Sequence, residues 1–332
     1  MKRQKVLVCG STGFIGRSLV ERFLGDTAFE LFATYRKVPP LINNQKGPVE
    51  FIHADLRNPE DAARAIQGKD IVIQAAATTS GANVIINKPY LHVTDNAVMN
   101  AHILRACYEA KIKHVVFLSC TTMYKEQDAP VKEEDFNGEM IDKYFGVGWT
   151  KVYNEKMCEF YSRISPTKFT VIRHTNIYGP RDKFDLETAH VFGATMAKVM
   201  SAKDGKVVVW GDGSDERDFL YVEDLVNFMA LAIENQEQPF ELVNVGSGES
   251  ISVTRLVEKI IEHSGRKLTI EYDHSKPSIG FKLKVSIDRA KDVFDWTPET
   301  SLDIGIERTL AWYRKHFPAP EAAKGSSPRG TQ

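Results

Sequence analysis

The stretch Val6-Leu7-Val8-Cys9-Gly10-Ser11-Thr12-Gly13-Phe14-Ile15-Gly16-Arg17 decides how this chain is read. Residues 5–9 form a short apolar strand. Residues 15–24 carry Ile15, Leu19, Val20 and Phe23 at helical spacing. Between them Gly10, Gly13 and Gly16 make a Gly-x-x-Gly-x-x-Gly turn. A strand, such a turn and an amphipathic helix together set a pyrophosphate on helix N-terminal N–H groups. The glycines serve the tight turn, the close backbone approach and the packing of helix on strand. A glycine triplet also occurs as a plain structural turn. Its place inside a strand–helix alternation reads as dinucleotide binding, with residues 10–16 (Ser11, Thr12, Phe14 and Ile15 included) at the cofactor.

Outward from this turn the alternation continues. Strands at residues 31–34, 51–53, 71–74, 114–119 and 170–173 are separated by helices at 62–66, 96–110 and 150–162. Right-handed crossovers and a parallel sheet covered on both faces follow. The expected fold is α/β, a Rossmann doubly wound parallel sheet with a smaller mixed α/β substrate-binding lobe. A chain of 332 residues exceeds what one core usually holds. Residues 1–177 are expected to form the cofactor domain, with segments near 207–245 returning to it, and 178–317 mostly the substrate lobe. Residues 318–332, rich in Pro, Gly, Ser and Ala, read as a disordered tail.

A net charge of -1 gives no electrostatic case for nucleic acid or an anionic membrane. No stretch reaches the roughly 18 apolar residues of a membrane span, and the N-terminal apolar run is too short for a signal peptide. The four cysteines lack metal-ligand spacing, so no metal site is expected. Cys9, Cys107 and Cys158 read as buried reduced thiols, which fits the cytoplasm.

The end of the second strand reads Tyr35-Arg36-Lys37. An acid there would accept the ribose 2′-OH of NAD, whereas arginine accommodates the 2′-phosphate of NADP. NADP is expected, with NAD the alternative if Arg36 and Lys37 are only solvated turn charges. Asp55 and Leu56 after the third strand are placed at the adenine. Ala75, Ala76 and Ala77 after the fourth line the diphosphate and ribose.

These residues resemble the extended short-chain dehydrogenase/reductase family, the NAD-dependent epimerases and dehydratases of nucleotide sugars. The resemblance runs from about residue 5 to 317. It rests on the glycine turn, Asp55-Leu56, Asn96, Ser119-Cys120-Thr121-Thr122-Met123-Tyr124 and Lys151. It continues through Asn176-Ile177-Tyr178-Gly179-Pro180, Arg217-Asp218-Phe219-Leu220-Tyr221-Val222-Glu223-Asp224 and Asn244-Val245-Gly246-Ser247-Gly248. Residues 207–217 and 178–190 are most similar to the GDP-4-keto-6-deoxy-sugar epimerase/reductases. What this implies is an NADP-dependent epimerase, reductase or both, acting on a nucleotide-linked keto-sugar (GDP-sugar favoured) as a homodimer paired through two helices. The Thr-Asp-Glu of the 4,6-dehydratases is missing.

The family's chemistry uses Tyr-x-x-x-Lys on one helix face, the lysine lowering the phenol's pKa. Lys151 matches the lysine, but four residues earlier stands Val147, which moves no proton. Cys120 occupies the family's Ser/Thr position, beside Thr121 and Thr122. The epimerising cysteine falls on Thr122, and its partner histidine is kept as His190. Three readings stay open. Tyr144 supplies the phenol from a turn bent at Gly146 and Gly148; or Cys120 and His190 do acid–base work without it; or the protein binds cofactor and sugar nucleotide without turnover, as a sensor. Cys120 as an inert thiol and His190 as a core histidine are the plain alternatives. By the same resemblance Asn176 and Arg217 bind the substrate diphosphate, Trp210 lies at the substrate, and His174 points to the nicotinamide.

Overall fold

A computed structural model describes residues 3–42, 46–79, 88, 90–276 and 281–318. The chain opens with β1 (Gln4–Cys9), α1 (Phe14–Phe23), β2 (Phe29–Tyr35), β3 (Val49–His53), α2 (Pro59–Ile66) and β4 (Ile71–Gln74). It continues through α3 (Tyr90–Glu109), β5 (His114–Cys120), α4 (Phe145–Ile164), β6 (Lys168–His174) and β7 (Asn176–Tyr178). Then come α5 (Val191–Ser201), β8 (Lys206–Trp210), β9 (Glu216–Arg217), β10 (Phe219–Tyr221), α6 (Val222–Asn235) and β11 (Phe240–Val245). The last elements are β12 (Ile251–Ser252), α7 (Val253–Ser264), β13 (Thr269–Asp273), α8 (Asp288–Phe294) and α9 (Leu302–His316).

Seven strands form one parallel sheet in the order β11-β6-β5-β4-β1-β2-β3. All four residues of β4 are buried, as a strand covered on both faces requires. Leu19, Val20 and Phe23 of α1 cover one face together with Leu225, Phe228 and Met229 of α6. Ala62 and Ile66 of α2, Ile103 and Leu104 of α3 and Cys158 of α4 cover the other. This is the doubly wound Rossmann arrangement. The strand order reverses between β1 and β4, so the ligand crevice opens above their carboxyl ends.

A separate core holds Phe192 and Met196 of α5, Val207 and Val209 of β8, Leu256 and Ile260 of α7 and Leu310 of α9. Within 207–245, β11 is the edge strand of the main sheet and α6 packs on its face. β8 does not join that sheet: among the described residues it pairs with β13 alone, and its buried Val207 and Val209 pack in the core with α5 and α7. The tail expected at 318–332 lies outside the described residues save for Pro318.

Candidate active site

The glycine turn closes at the crevice. Gly10 has φ +81°, and a Cβ there would sit 2.6 Å from Ala76 Cα, so only glycine lets β1 meet the chain leaving β4. At Gly16 a Cβ would run into the Gly10 carbonyl. Helix α1 begins after Gly13 with no side-chain cap and no acid in its first turn, leaving its N–H groups for an anion. Ser11 turns inward, its hydroxyl donating to Thr34 O at 2.8 Å, while Thr12 and Gly13 stay exposed. This cradle fits a dinucleotide diphosphate. Arg36 is exposed beyond β2. The Asp55 carboxylate is held by Arg57 at 2.7 Å, which draws its pKa down to about 2, and Arg57 also reaches Asp95 of α3 at 3.1 Å. Sequence reasoning passed over Arg57, although it stands two residues beyond Asp55.

Lys151 lies on α4 with its ammonium donating to Leu118 O at 2.9 Å. His174 ends β6 as the strand partner of Cys120. Its Nδ1–H donates to Thr175 O at 2.8 Å; burial first, then the charges of Lys151 and His190, push its pKa to about 4. Cys120 is half-buried with Sγ 3.1 Å from Thr122 Oγ1. Thr121 is buried and its carbonyl accepts from Tyr124 N, which tightens the strand-end turn. Beneath this turn Glu155 and Arg173 form a buried pair at 2.7 Å, closed by Ser119, Tyr124 and the Glu133 carbonyl. A buried pair keeps its charges only when its remaining donors and acceptors are met, as here.

Val147 sits in the first turn of α4, and Tyr144 is the residue that caps that helix. Burial raises the Tyr144 pKa, and the charges acting on its phenol are those of Arg217, Asp215 and Cys120. Gly146 and Gly148 do not bend the chain, contrary to the expectation from sequence. Both lie inside α4, where a Cβ would meet Val93 Cγ2 at 2.9 Å and Met140 Sδ at 2.7 Å. They serve close packing.

His190 caps α5 through its backbone; its pKa is lowered by burial and by the charges of Lys183 and His92. His92, on α3, has Nδ1 3.2 Å from Thr78 O. Asn176 Nδ2 donates to Asp218 O at 3.1 Å. Asp218 in turn accepts from Ser247 N and Gly248 N, so the two glycine- and acid-rich motifs meet as structure. Trp210 is 49% exposed with Lys198 Nζ 5.0 Å from its ring centre.

A family model, the NAD dependent epimerase/dehydratase family, matches residues 6–246. The chain belongs to this family. It is 30% identical over 250 residues to the GDP-L-colitose synthase of Yersinia pseudotuberculosis, covering 74% of this chain and 81% of that protein. It is 27% identical over 315 residues to a GDP-L-fucose synthase of Sinorhizobium fredii, covering 92% and 94%. The UDP-glucose 4-epimerase of Thermotoga maritima, solved with UDP-glucose, superposes with a TM-score of 0.82 at 24% identity over 94% of this chain and 99% of that one, a likeness of fold.

Proposed function

We propose that this chain is an NADP(H)-dependent epimerase/reductase of a nucleotide-linked 4-keto-sugar, GDP-linked by preference. One observation carries the reading. Gly10 meets the chain leaving β4 so closely that a Cβ would lie 2.6 Å from Ala76 Cα, and α1 opens behind it with no side-chain cap, the cradle of a dinucleotide diphosphate. The nucleotide names of the colitose and fucose synthases favour a GDP-sugar.

Gly10 through Gly16 hold the diphosphate, Ala75, Ala76 and Ala77 line it, Asp55 and Leu56 hold the adenine, and Arg36 meets the 2′-phosphate. Lys151 and His174 hold the nicotinamide ribose and ring. The bound nicotinamide supplies hydride exchange with a sugar carbon. Tyr144, protonated at neutral pH because burial raises its pKa, donates the proton to the sugar oxygen. Cys120 and Thr122, bonded to each other, and Thr121 position that oxygen. His190, kept neutral by its lowered pKa, takes a proton from a carbon beside the ketone when the enzyme epimerises. Asn176, Arg217 and Trp210 hold the sugar nucleotide.

Residues 1–177 form the cofactor domain in this reading, joined by α6 and β11, and residues 178–317 otherwise form the substrate lobe. Two chains pair through α3 and α4, because Phe145, Trp149, Tyr153, Phe160 and Ile164 repeat along α4 and are all at least 39% exposed. Free thiols at Cys9, Cys107, Cys120 and Cys158 favour the cytoplasm. Among the described residues no helix is long and apolar enough to cross a membrane.

A second reading, a cofactor and sugar-nucleotide sensor without turnover, is favoured by Val147 alone. The test is mass spectrometry of ligands released from purified protein, followed by NADPH oxidation with GDP-, UDP- and dTDP-4-keto-sugars. Oxidation with one of them supports the enzyme. Tight binding of cofactor and sugar nucleotide with no oxidation and no epimerised product overturns it in favour of the sensor.

A further inference from the structure

Arg217 reaches the cleft already engaged. Its Nη1 donates to Glu216 O at 2.8 Å and to Phe281 O at 2.5 Å, and Nη2 donates to Asp215 Oδ2 at 3.1 Å. The guanidinium lies 5.4 Å from the centre of the Phe281 ring. Asp215 is fastened to the same residue, its Oδ1 accepting from Phe281 N at 3.1 Å. The two side chains are 12% and 13% exposed, so the pair is largely enclosed. Because Phe281 grips both partners, Arg217 cannot swing to a ligand and leave Asp215 behind. A ligand phosphate must come to a preset ion pair.

That geometry has a consequence for charge. A phosphate oxygen bonded to Arg217 Nη2 at about 2.9 Å lies within about 6 Å of the Asp215 carboxylate, since Nη2 is 3.1 Å from Oδ2. We infer that Asp215 is a charge filter: it admits the diphosphodiester of a sugar nucleotide and disfavours the more highly charged free nucleotides that would otherwise occupy the same arginine. The inference rests on the sugar-nucleotide reading above. At neutral pH a nucleoside diphosphate sugar carries about two negative charges, the free diphosphate about three and the triphosphate about four, because a terminal phosphate loses its second proton near pH 6. Each added charge meets the same carboxylate, so discrimination rises in steps. Between unit charges several ångströms apart at a partly solvated site, a step is about threefold in affinity.

The test is calorimetry on the whole protein with GDP-mannose, GDP and GTP, and with UDP-glucose, UDP and UTP, at low and high salt. In the wild type the sugar nucleotide binds at least as tightly as the diphosphate and more tightly than the triphosphate, and the gaps shrink with salt. Asp215→Asn, which keeps an acceptor for Phe281 N, tightens the sugar nucleotide about threefold and the triphosphate about tenfold or more, reversing the order. Arg217→Ala weakens all of them. If the wild type binds and Arg217→Ala weakens binding, but Asp215→Asn leaves the order unchanged, the filter is wrong and the sugar-nucleotide reading stands. Should no nucleotide bind to wild type or variant, both fall. If Asp215→Asn does not fold, the wild-type order decides: a triphosphate bound more tightly than the sugar nucleotide at low salt overturns the filter.

Discussion

Tyr144 and Lys151 are seven residues apart, one the residue before α4 and the other inside it. Lys151 is tied to the Leu118 carbonyl and its charge bears on His174, whereas the Tyr144 phenol answers to Arg217, Asp215 and Cys120. Tyr144→Phe is expected to lower turnover about 100-fold or more with little change in KM, measured by NADPH oxidation, since a general acid is lost and the ring is kept. The raised pKa keeps this acid protonated through neutral pH, so its contribution fades only as pH climbs past the ordinary phenol range. Val147→Tyr alone creating turnover in an otherwise silent protein would instead favour the sensor. A second residue bears on stability. Asp182 is buried, Oδ2 has no hydrogen-bond partner among the described residues, and burial raises its pKa to about 7. A carboxyl whose folded pKa is raised costs nothing below its unfolded value near 4, and its cost grows until pH passes about 7. Asp182→Asn should therefore raise Tm at pH 8 and change it little at pH 4; an equal gain at both would show that charge is not the cause.

At the scale of the element, α4 is asked for two things at once. Its first turn must press against α3 and Met140, which Gly146 and Gly148 allow, and its outer face carries aromatics left at least 39% exposed by the described residues. Phe145, Trp149, Tyr153, Phe160 and Ile164 recur at helical spacing, and Tyr108 of α3 packs against Tyr161 with ring centres 5.5 Å apart beside them. Phe160, 54% exposed, would be buried in a pair of chains. Phe160→Glu places a charge in that joint and should shift the solution mass from two chains to one, as read by light scattering. A wild type that already runs as one chain at high concentration would dispose of the pairing.

For the whole molecule, stability and cofactor choice are linked. A ligand that binds only the folded chain raises Tm in proportion to the logarithm of its concentration over Kd. NADPH should therefore raise Tm more than NADH at equal concentration, and Arg36→Ala should erase that difference; a larger shift with NADH in the wild type would reverse the assignment. Acid acts on the molecule in the opposite sense to Asp182. His114 is buried against Thr170 Oγ1 at 2.8 Å with its pKa pushed to about 4, so it stays neutral in the fold while the unfolded chain takes up a proton below about 6.5. Its contribution is full above about pH 6.5 and is lost between there and about pH 4. The sheet, the glycine turn and the family were legible in the sequence because periodicity and glycine spacing are local: β1, its turn and α1 occupy one unbroken stretch, and a backbone that needs positive φ at Gly10 announces it in the residue type. What only the tertiary structure decided lies between residues far apart in the chain. Lys151 could not be set on the Leu118 carbonyl, nor Glu155 on Arg173, by any spacing. Gly146 and Gly148 serve packing rather than bending, because the neighbours they admit come from other segments. Asp215 and Arg217 are near in sequence, yet it is Phe281, more than sixty residues on, that accepts from one and donates to the other.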